Sequence, residues 1–384
     1  MFAMKRRLVI LTEIIAPYRI PVFNALAAQP EIDLHVIFLS ETDRSLRQWP
    51  VYKEEISFSH EVLPHWRRRI GKYNLLLNVG VTASLDRIRP QAIVCGGYSY
   101  ISSWNAAVWA RRNGVPLLLW SESTANDCRK ARGIVELLKS CFLVCCRAFV
   151  VPGKSSFTYL CQLGVPPQSI FTAPNAVDVD FFAGVAQEVN ASDLRDRLEL
   201  PERFFLYVGR LVIEKGIFEL LRAYAKLDAE IRARIGLVLV GDGPARTELL
   251  DLIATERLTS VHCVGFLHRE QLGKLYAIAE ALVLPTHSDP WGLVVNEAMS
   301  CGLPVVTTSV AGCAADLVID GWNGYIVPPR DVNGLSAALY RLARQPEFRE
   351  QMGLRSAQRI RSYSPQTWAA GLVEAVDFVC PRSA

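Results

Sequence analysis

The sequence predicts an α/β protein of two domains, each a parallel sheet covered by helices. The chain has 384 residues, which is more than one hydrophobic core usually supports. Its composition is 51% hydrophobic and 21% charged, which is typical of a well-packed globular protein. Short apolar runs alternate with helical patterns, and this alternation favours parallel strands joined by crossover helices.

The strand-like runs fall into two series that are separated by a polar stretch after about residue 180. The first series comprises Leu8–Thr12, Asp33–Leu39, Ala92–Cys95, Pro116–Trp120 and Ala148–Val151. The second series comprises Phe204–Gly209, Gly236–Val240, Val261–Val264, Ala281–Leu284 and Val305–Thr307. Because the two series are of similar length, we expect two Rossmann-like domains that face each other across a cleft.

The predicted N-terminal domain covers residues 1–178, and the predicted C-terminal domain covers residues 179–364. A last helix over 365–380 is introduced by Ser364-Pro365, a good pair for an N-cap and a first helical turn. At the domain junction, Asp178-Val-Asp180 spells a D-x-D sequence, which also occurs in metal sites. Its place in the linker favours a structural role, and we expect no metal and no cofactor.

The charge of the chain and the spacing of its cysteines limit the partners and the cellular compartment that the sequence predicts. The net charge of +4 is too weakly basic to indicate nucleic acid, and no basic run is interleaved with aromatics as in nucleic-acid motifs. The ten cysteines lack the paired spacing of zinc sites. No signal peptide precedes the first strand, and no apolar run is long enough to span a bilayer. We expect a reducing, cytoplasmic location.

The most informative segment is Asp289–Glu297, D-P-W-G-L-V-V-N-E, which lies between a predicted strand and a helix ended by Gly302. Ligands bind at such turns in open α/β sheets, where free amides at the helix start attract anions and polyols. Gly292 lets the backbone approach a ligand closely. Asp289 in the loop and Glu297 one turn into the helix are placed to hold two parts of one elongated ligand. An ordinary capped turn is the alternative interpretation.

This block, with E-A-M-S-C-G-L-P-V-V after it, resembles the nucleotide-sugar signature of the family 4 retaining glycosyltransferases, which have the GT-B fold. The resemblance implies that Asp289 contacts the donor sugar and Glu297 the ribose of the nucleotide. The family usually has Glu at the first position, so Asp289 is one methylene shorter. The intervening residues would line the donor pocket through their backbone: Pro290, Trp291, Gly292, Leu293 and Val294.

The segment Gly209-Arg-Leu-Val-Ile-Glu-Lys-Gly216 resembles the family's G-R-x-x-x-x-K-G. The resemblance implies that Arg210 and Lys215 bind the donor diphosphate, whose leaving charge two fixed cations can stabilise without a metal. A solvated loop is the alternative. Three further positions resemble parts of the family's nucleotide pocket and are expected to bind donor with Gly209: Gly241, Gly265 and Phe266.

In the N-terminal domain, the resemblance implies the acceptor site. Arg19, in A-P-Y-R, is expected near the cleft, with a surface arginine as the alternative; Gly97 and Tyr98 either line the acceptor side or form a turn. Many family members carry a catalytic histidine after the strand matching Leu117–Trp120, whereas this chain has Ser-Glu-Ser-Thr there. Glu122 is a candidate to orient an acceptor hydroxyl or take its proton, and a capping acid is the alternative.

The most concentrated basic patch lies in the same domain and mixes an aromatic with cations: Trp66, Arg67, Arg68 and Arg69. This composition suits an anionic membrane surface, with a solvated loop as the alternative. A membrane surface would indicate a peripheral location on the inner face of the cell membrane and a lipid-linked acceptor.

The resemblance therefore implies a hexosyltransferase-type enzyme that transfers a sugar, with retention, from a nucleoside diphosphate to an acceptor hydroxyl in polysaccharide, glycolipid or other glycan biosynthesis. The GT-B fold also implies that the last helix crosses back to the N-terminal domain. Two alternatives remain open: a catalytically silent binding subunit of a glycan-assembly complex, and a GT-B phosphorylase or epimerase.

Overall fold

A computed structural model describes residues 5–43, 49–70, 73–127 and 133–381. The chain divides into two compact units. The first consists of Met1–Val177 and Ser364–Ala384, and the second of Asp178–Tyr363. The first unit is therefore discontinuous in sequence.

The first unit is built on a parallel sheet. Its chain contributes the strands β1 (Arg6–Thr12), β2 (Ile32–Phe38), β3 (Ser59–Val62), β4 (His65–Ile70), β5 (Tyr73–Asn78), β6 (Ala92–Cys95), β7 (Leu117–Trp120), β8 (Ala148–Val151) and β9 (Ile170–Thr172). The parallel sheet has the order β3-β2-β1-β6-β7-β8-β9, and β4 and β5 form a separate antiparallel hairpin. β1 is central, and its Leu8 pairs with Leu34 of β2 and Ala92 of β6.

Helices cover both faces of this sheet. They are α1 (Ile20–Ala27), α2 (Val81–Ile88), α3 (Ile101–Asn113), α4 (Gly133–Cys145), α5 (Lys154–Gln162) and the C-terminal helix (Pro365–Val379). The buried strand residues alternate between the two faces, so one core forms around Phe23 and Trp368 and another around Trp109 and Phe142.

The C-terminal helix belongs to the first unit, where it packs against α1, β8 and β9 as predicted. Ser364 caps its start by accepting a hydrogen bond from the Thr367 amide at 3.2 Å. Trp368 is fully buried, and its ring lies 5.8 Å from the Phe23 ring. A Cβ at Gly371 would lie 2.1 Å from the Thr172 carbonyl oxygen, so glycine permits this close packing.

The second unit has a parallel sheet of its own. Its strands are β10 (Phe204–Val208), β11 (Gly236–Val240), β12 (Val261–Gly265), β13 (Ala281–Leu284), β14 (Val305–Thr308) and β15 (Gly324–Val327). The sheet order is β12-β11-β10-β13-β14-β15. The chain proceeds outward from β10 to β12 and then returns to place β13 beside β10. The strand order therefore reverses between β10 and β13, where open α/β sheets bind ligands.

The helices of the second unit cover both faces of this sheet. They are α6 (Val179–Gln187), α7 (Ala191–Leu198), α8 (Ile217–Ala225), α9 (Ala229–Arg234), α10 (Arg246–Thr255), α11 (Arg269–Ile278), α12 (Leu293–Ser300), α13 (Ala314–Leu317), α14 (Val332–Arg344) and α15 (Pro346–Ile360). Asp178, the first acid of the D-x-D sequence, caps α6 by accepting a hydrogen bond from the Phe181 amide at 2.9 Å. This contact agrees with the structural interpretation of that sequence.

Within residues 5–43, 49–70, 73–127 and 133–381, no helix is both long and apolar enough to cross a bilayer. Within the same ranges, no three acidic, histidine or cysteine side chains are grouped as metal ligands.

Candidate functional site

The loops that follow β10 and β13 pack against each other at the reversal of strand order. The His287 amide donates a hydrogen bond to the Glu214 carbonyl at 2.8 Å, and the Thr286 hydroxyl donates to the same oxygen at 3.1 Å. A Cβ at Gly216 would lie 1.9 Å from the Pro285 carbonyl oxygen, and Gly216 has a φ of +69°. Only glycine fits there, because both the space and the conformation exclude a side chain.

These two loops bring Lys215 and Asp289 into contact as an ion pair. The Lys215 and Asp289 side chains are only 17% and 12% exposed, so the pair is largely removed from water. The second carboxylate oxygen of Asp289 accepts a hydrogen bond from the Trp291 amide at 3.3 Å. The Asp289 carbonyl accepts one from the Gly312 amide at 2.9 Å, which ties this loop to the segment after β14. Asp289 is thus held on both its side chain and its backbone.

Arg210 is exposed directly after β10, and its carbonyl accepts a hydrogen bond from the Tyr207 hydroxyl at 2.8 Å. Burial raises the pKa of Tyr207, the negative charge of Asp289 raises it further, and the Arg210 guanidinium lowers it. The charges of Arg210 and Asp289 therefore both act on one buried hydroxyl. The loop after β10 carries two cations, Arg210 and Lys215, and it lies at the carboxyl ends of the strands, as does the loop that carries Asp289.

Gly292, with a φ of +97°, is the N-cap of helix α12, and no described side chain caps this start. The Trp291 indole is buried and donates a hydrogen bond to the Asn296 side chain at 2.8 Å. Trp291 therefore supports the loop through its ring, and its amide is already bonded to Asp289. Leu293 and Val294 are half-buried in the first turn of α12, and Pro290 is exposed. The amides of this first turn are positioned to bind a polar ligand group.

Glu297 lies one turn into α12, and its half-buried carboxylate accepts a hydrogen bond from the Tyr276 hydroxyl of α11 at 2.7 Å. Burial raises the pKa of the Glu297 carboxyl to about 7, although the Tyr276 hydrogen bond opposes this shift. Burial and the negative charge of Glu297 both raise the pKa of Tyr276. Glu297 is thus an acceptor with a fixed orientation whose charge changes near neutral pH.

Gly209, Gly241 and Gly265 follow one another across the carboxyl ends of β10, β11 and β12. The Gly241 amide donates a hydrogen bond to the Gly265 carbonyl at 2.8 Å. A Cβ at Gly241 would lie 2.0 Å from the Gly209 carbonyl oxygen, so the backbones meet without intervening side chains. Phe266 is 39% exposed beside them, with its ring 5.3 Å from the His268 ring. An exposed aromatic beside bare backbone is suited to contact a planar base.

In the first unit, Arg19 and Glu122 form an ion pair. They belong to a different unit from Lys215 and Asp289. Arg19 also donates a hydrogen bond to the Asn175 side chain at 3.0 Å and stacks 4.2 Å from the Trp120 ring centre. Arg19 is therefore not a solvated surface arginine, and Glu122 is its ion-pair partner.

Gly97 has a φ of +121° and fits the turn interpretation. The Tyr98 carbonyl accepts a hydrogen bond from the Trp104 indole at 3.0 Å, and the Tyr98 ring lies 6.1 Å from the Phe142 ring. These contacts direct the Tyr98 ring to the hydrophobic core.

The basic patch lies on the β4–β5 hairpin and divides between two environments. Trp66 is 50% exposed and Arg68 is exposed. Arg67 is turned inward and pairs with Asp43 at 2.5 Å and with Glu13 at 3.5 Å. The Arg69 side chain lies outside the described residues. Of the predicted patch, Trp66 and Arg68 therefore face outward.

Several residues that support the site were not predicted from the sequence. The His287 ring lies 3.2 Å from the Glu219 carboxylate of α8, and this contact joins the loop after β13 to the helix that follows Lys215. Tyr276 orients Glu297, and Asn296 holds the Trp291 ring. Tyr276 follows the apolar spacing of α11, and Asn296 sits among the apolar residues of α12. A polar group at a buried helical position is the signal that marks both of them.

Residues 192–359, which lie within the second unit, match the model of the family described as glycosyl transferases group 1. A kanosaminyltransferase from Streptomyces kanamyceticus is 35% identical over 180 residues, which cover 46% of each chain. A glycogen synthase from Mycobacterium tuberculosis is 35% identical over 158 residues, which cover 41% of this chain and 38% of that protein. The chain thus spans less than half the length of these relatives.

Solved structures match along almost the whole chain. HepE from Anabaena, solved in complex with UDP, has a TM-score of 0.77 at 17% identity and covers 97% of this chain and 100% of its own. A sucrose-phosphate synthase from Thermosynechococcus elongatus has a TM-score of 0.76 at 21% identity and covers 98% and 100%. The chain has the two-domain α/β GT-B fold, as the sequence predicted.

Proposed function

We propose that the protein is a retaining glycosyltransferase that moves a sugar from a nucleoside diphosphate sugar to an acceptor hydroxyl in glycan biosynthesis. The observation that carries this proposal is the contact between Lys215 and Asp289 at the reversal of strand order. In a nucleotide sugar, the phosphate and the sugar hydroxyls are separated by only a few bonds. A cation and a carboxylate in contact match those two neighbouring groups.

Each part of the donor has a proposed binding residue. Lys215 and Arg210 bind the diphosphate, and Asp289 accepts hydrogen bonds from the sugar hydroxyls. Glu297 accepts hydrogen bonds from the ribose hydroxyls, with Tyr276 holding its carboxylate in place. The first-turn amides of α12 complete the sugar pocket, and Phe266 with the three strand-end glycines contacts the nucleotide base.

The proposed reaction breaks the bond between the anomeric carbon and the phosphate oxygen and forms a bond to the acceptor oxygen on the same face. The acceptor proton passes to the departing phosphate oxygen, so the step needs neither an enzymic nucleophile nor a metal. The diphosphate gains charge as the bond breaks, and Arg210 and Lys215 stabilise that charge. The ion pair with Asp289 holds Lys215 in place for this role.

The acceptor is proposed to bind the first unit near Arg19 and Glu122. Because Arg19 already pairs with Glu122, this carboxylate is oriented before any acceptor arrives. An acceptor hydroxyl other than the reacting one would donate its hydrogen bond to Glu122. We propose a glycan or lipid-linked acceptor and a cytoplasmic enzyme that is peripheral at the cell membrane.

A panel of nucleotide sugars screened by thermal shift tests the donor, because a ligand of the folded state raises the melting temperature. We expect one nucleotide sugar to stabilise the wild type and not Lys215→Ala, and to be hydrolysed slowly. No stabilisation by any nucleotide sugar would overturn the donor assignment. Binding without hydrolysis or transfer would indicate the silent subunit, and activity with phosphate in place of nucleotide would indicate the phosphorylase. An inverted anomeric product, seen by NMR, would contradict retention.

A further inference from the structure

Helix α4 is apolar on both of its sides, although one side faces solvent. On the inner side, Phe142 is fully buried and its ring lies 5.1 Å from the Trp104 ring of α3. Lys139 is also turned inward, where its ammonium donates a hydrogen bond to the Tyr159 hydroxyl. These contacts anchor α4 on the sheet and fix which side of the helix points outward.

The outward side carries apolar side chains where a surface helix normally has polar ones. Leu137, Leu138 and Val144 are 63%, 48% and 87% exposed. Cys141 and Cys145 are exposed between them. At about 100° per residue, these positions span an arc of about 120° on the helix surface. We call this arc the α4 face: Leu137, Leu138, Cys141, Val144 and Cys145.

Exposed arginines lie next to α4. Arg147 is exposed just past the end of α4. Arg111 and Arg112 are exposed in the last turn of α3, which packs against α4. Apolar side chains with flanking cations have the composition of helices that lie in an anionic membrane surface.

We propose that the α4 face binds the surface of an anionic lipid bilayer, with α4 lying in the plane of that surface. The 13 residues of α4 extend about 20 Å at 1.5 Å per residue, too short for a hydrocarbon core of about 30 Å. The apolar side chains would enter the boundary between headgroups and acyl chains, and the arginines would pair with lipid phosphates. This contact removes the exposed apolar arc from water.

This inference is separate from the donor site, because every residue of the α4 face lies in the first unit and outside the proposed binding residues. Arg68 and Trp66 on the β4–β5 hairpin are not needed for it. Failure of the proposed sugar transfer would therefore leave this proposal standing. The reverse also holds, since donor hydrolysis requires no membrane.

Sedimentation of the full chain with vesicles of phosphatidylglycerol and phosphatidylcholine tests the proposal. We expect the wild type to bind and the double variant Leu137→Glu with Val144→Glu to lose about tenfold or more in affinity, since two apolar side chains no longer enter the lipid. The matched control is Leu354→Glu, which changes an apolar helix residue that is 73% exposed in the second unit. Circular dichroism of each variant checks that it remains folded.

The charge contribution is tested with Arg111→Gln and Arg112→Gln together, against Arg344→Gln, an exposed arginine of α14. We expect the paired variant, added salt and vesicles of phosphatidylcholine alone each to weaken binding. Equal sedimentation of wild type and the Leu137→Glu, Val144→Glu variant would overturn the proposal. The proposal would also be overturned if the wild type did not bind vesicles but formed an oligomer, and the double variant were a monomer. The α4 face would then bind a second copy of the chain.

Discussion

Lys215 and Asp289 form an ion pair across 74 positions of sequence, and each lies on the loop that follows one of two adjacent parallel strands. The two loops are distant in sequence and meet because the strands before them are neighbours in the sheet. The return of the chain from β12 to β13 creates the contact, and Gly216 permits the close approach of the two backbones. The charge arrangement proposed to bind a nucleotide sugar is therefore a product of the strand order.

The first prediction concerns this pair. We expect Lys215→Ala and Asp289→Asn each to lower turnover of a nucleotide sugar by about 100-fold or more, as when a positioned charge is removed from an active site. Steady-state hydrolysis or transfer measures the loss. In a double-mutant cycle, the loss of turnover in the double variant should be smaller than the two single losses combined, because both residues act on one bound substrate. Lys226→Ala, which changes an exposed lysine that bonds to Asn333, is the matched control. Wild-type turnover in both site variants would refute the assigned roles.

The second prediction concerns the pH dependence of stability at Glu297. Its folded pKa of about 7 lies above the ordinary value of 4.5, so the folded state holds this proton more tightly than the unfolded state. The bound proton contributes up to about 3 kcal/mol to the free energy of unfolding. This contribution is fully present below about pH 4.5 and is lost as the pH rises through about 7. Glu297→Gln keeps an acceptor for Tyr276 and has no charge.

Calorimetry of both proteins between about pH 5 and pH 8 measures this difference. We expect the melting temperature of the wild type to fall relative to Glu297→Gln as pH rises. A constant difference across the range would show that the carboxyl titrates as it does in the unfolded chain. Nucleotide affinity should be lower in Glu297→Gln at pH 8, since the carboxylate is the stronger acceptor for ribose hydroxyls.

The third prediction concerns the contact between His287 and Glu219. This pair supports the loop that carries Asp289 from the side of α8, and neither residue is among the proposed donor-binding residues. Glu219→Gln should lower turnover by about 3- to 10-fold, since small displacements of a catalytic group are costly. The melting temperature should change little. Glu230→Gln, on the exposed surface of α9, is the control. A loss of stability with unchanged turnover would assign the pair a purely structural role.

The fourth prediction concerns stability away from the site. Glu280, at the amino end of β13, pairs with Arg203 at 2.7 Å and with Arg349 at 2.6 Å. Arg349 is buried, so Glu280→Ala would leave a buried cation without its carboxylate and cost about 3 kcal/mol or more. Denaturant unfolding of the second unit measures the cost. Nucleotide binding well below the melting temperature should be unaffected, because the site lies at the opposite end of β13.

Most strands of both sheets could be predicted from the sequence, because parallel strands buried on both faces are continuous apolar runs. The exceptions have physical reasons. β3, Ser59–Val62, is a largely exposed polar strand at the sheet edge, and β9 has only three residues. β15, Gly324–Val327, is a short edge strand of the second sheet with only three apolar residues after its glycine. The last helix was predicted because its cap and its apolar spacing are both local features of the sequence.

The candidate site was predicted less completely, because its contacts depend on tertiary structure. The loops carrying Lys215 and Asp289 could be recognised from their motifs, yet their ion pair required the strand order. Arg67 was expected on a surface patch, and its burial follows from Asp43, which lies 24 positions earlier in the sequence. No local pattern distinguishes a buried arginine with a distant acid from a solvated one.

The position of Trp368 has a consequence for synthesis. Its ring fills the core between Phe23 and Trp120, so the first sheet lacks one of its covering helices until the residues after 364 have left the ribosome. The second unit, whose chain is continuous, can complete its packing earlier. During translation, the part of the chain made first would therefore be the last to mature, with an open apolar groove that chaperones can occupy.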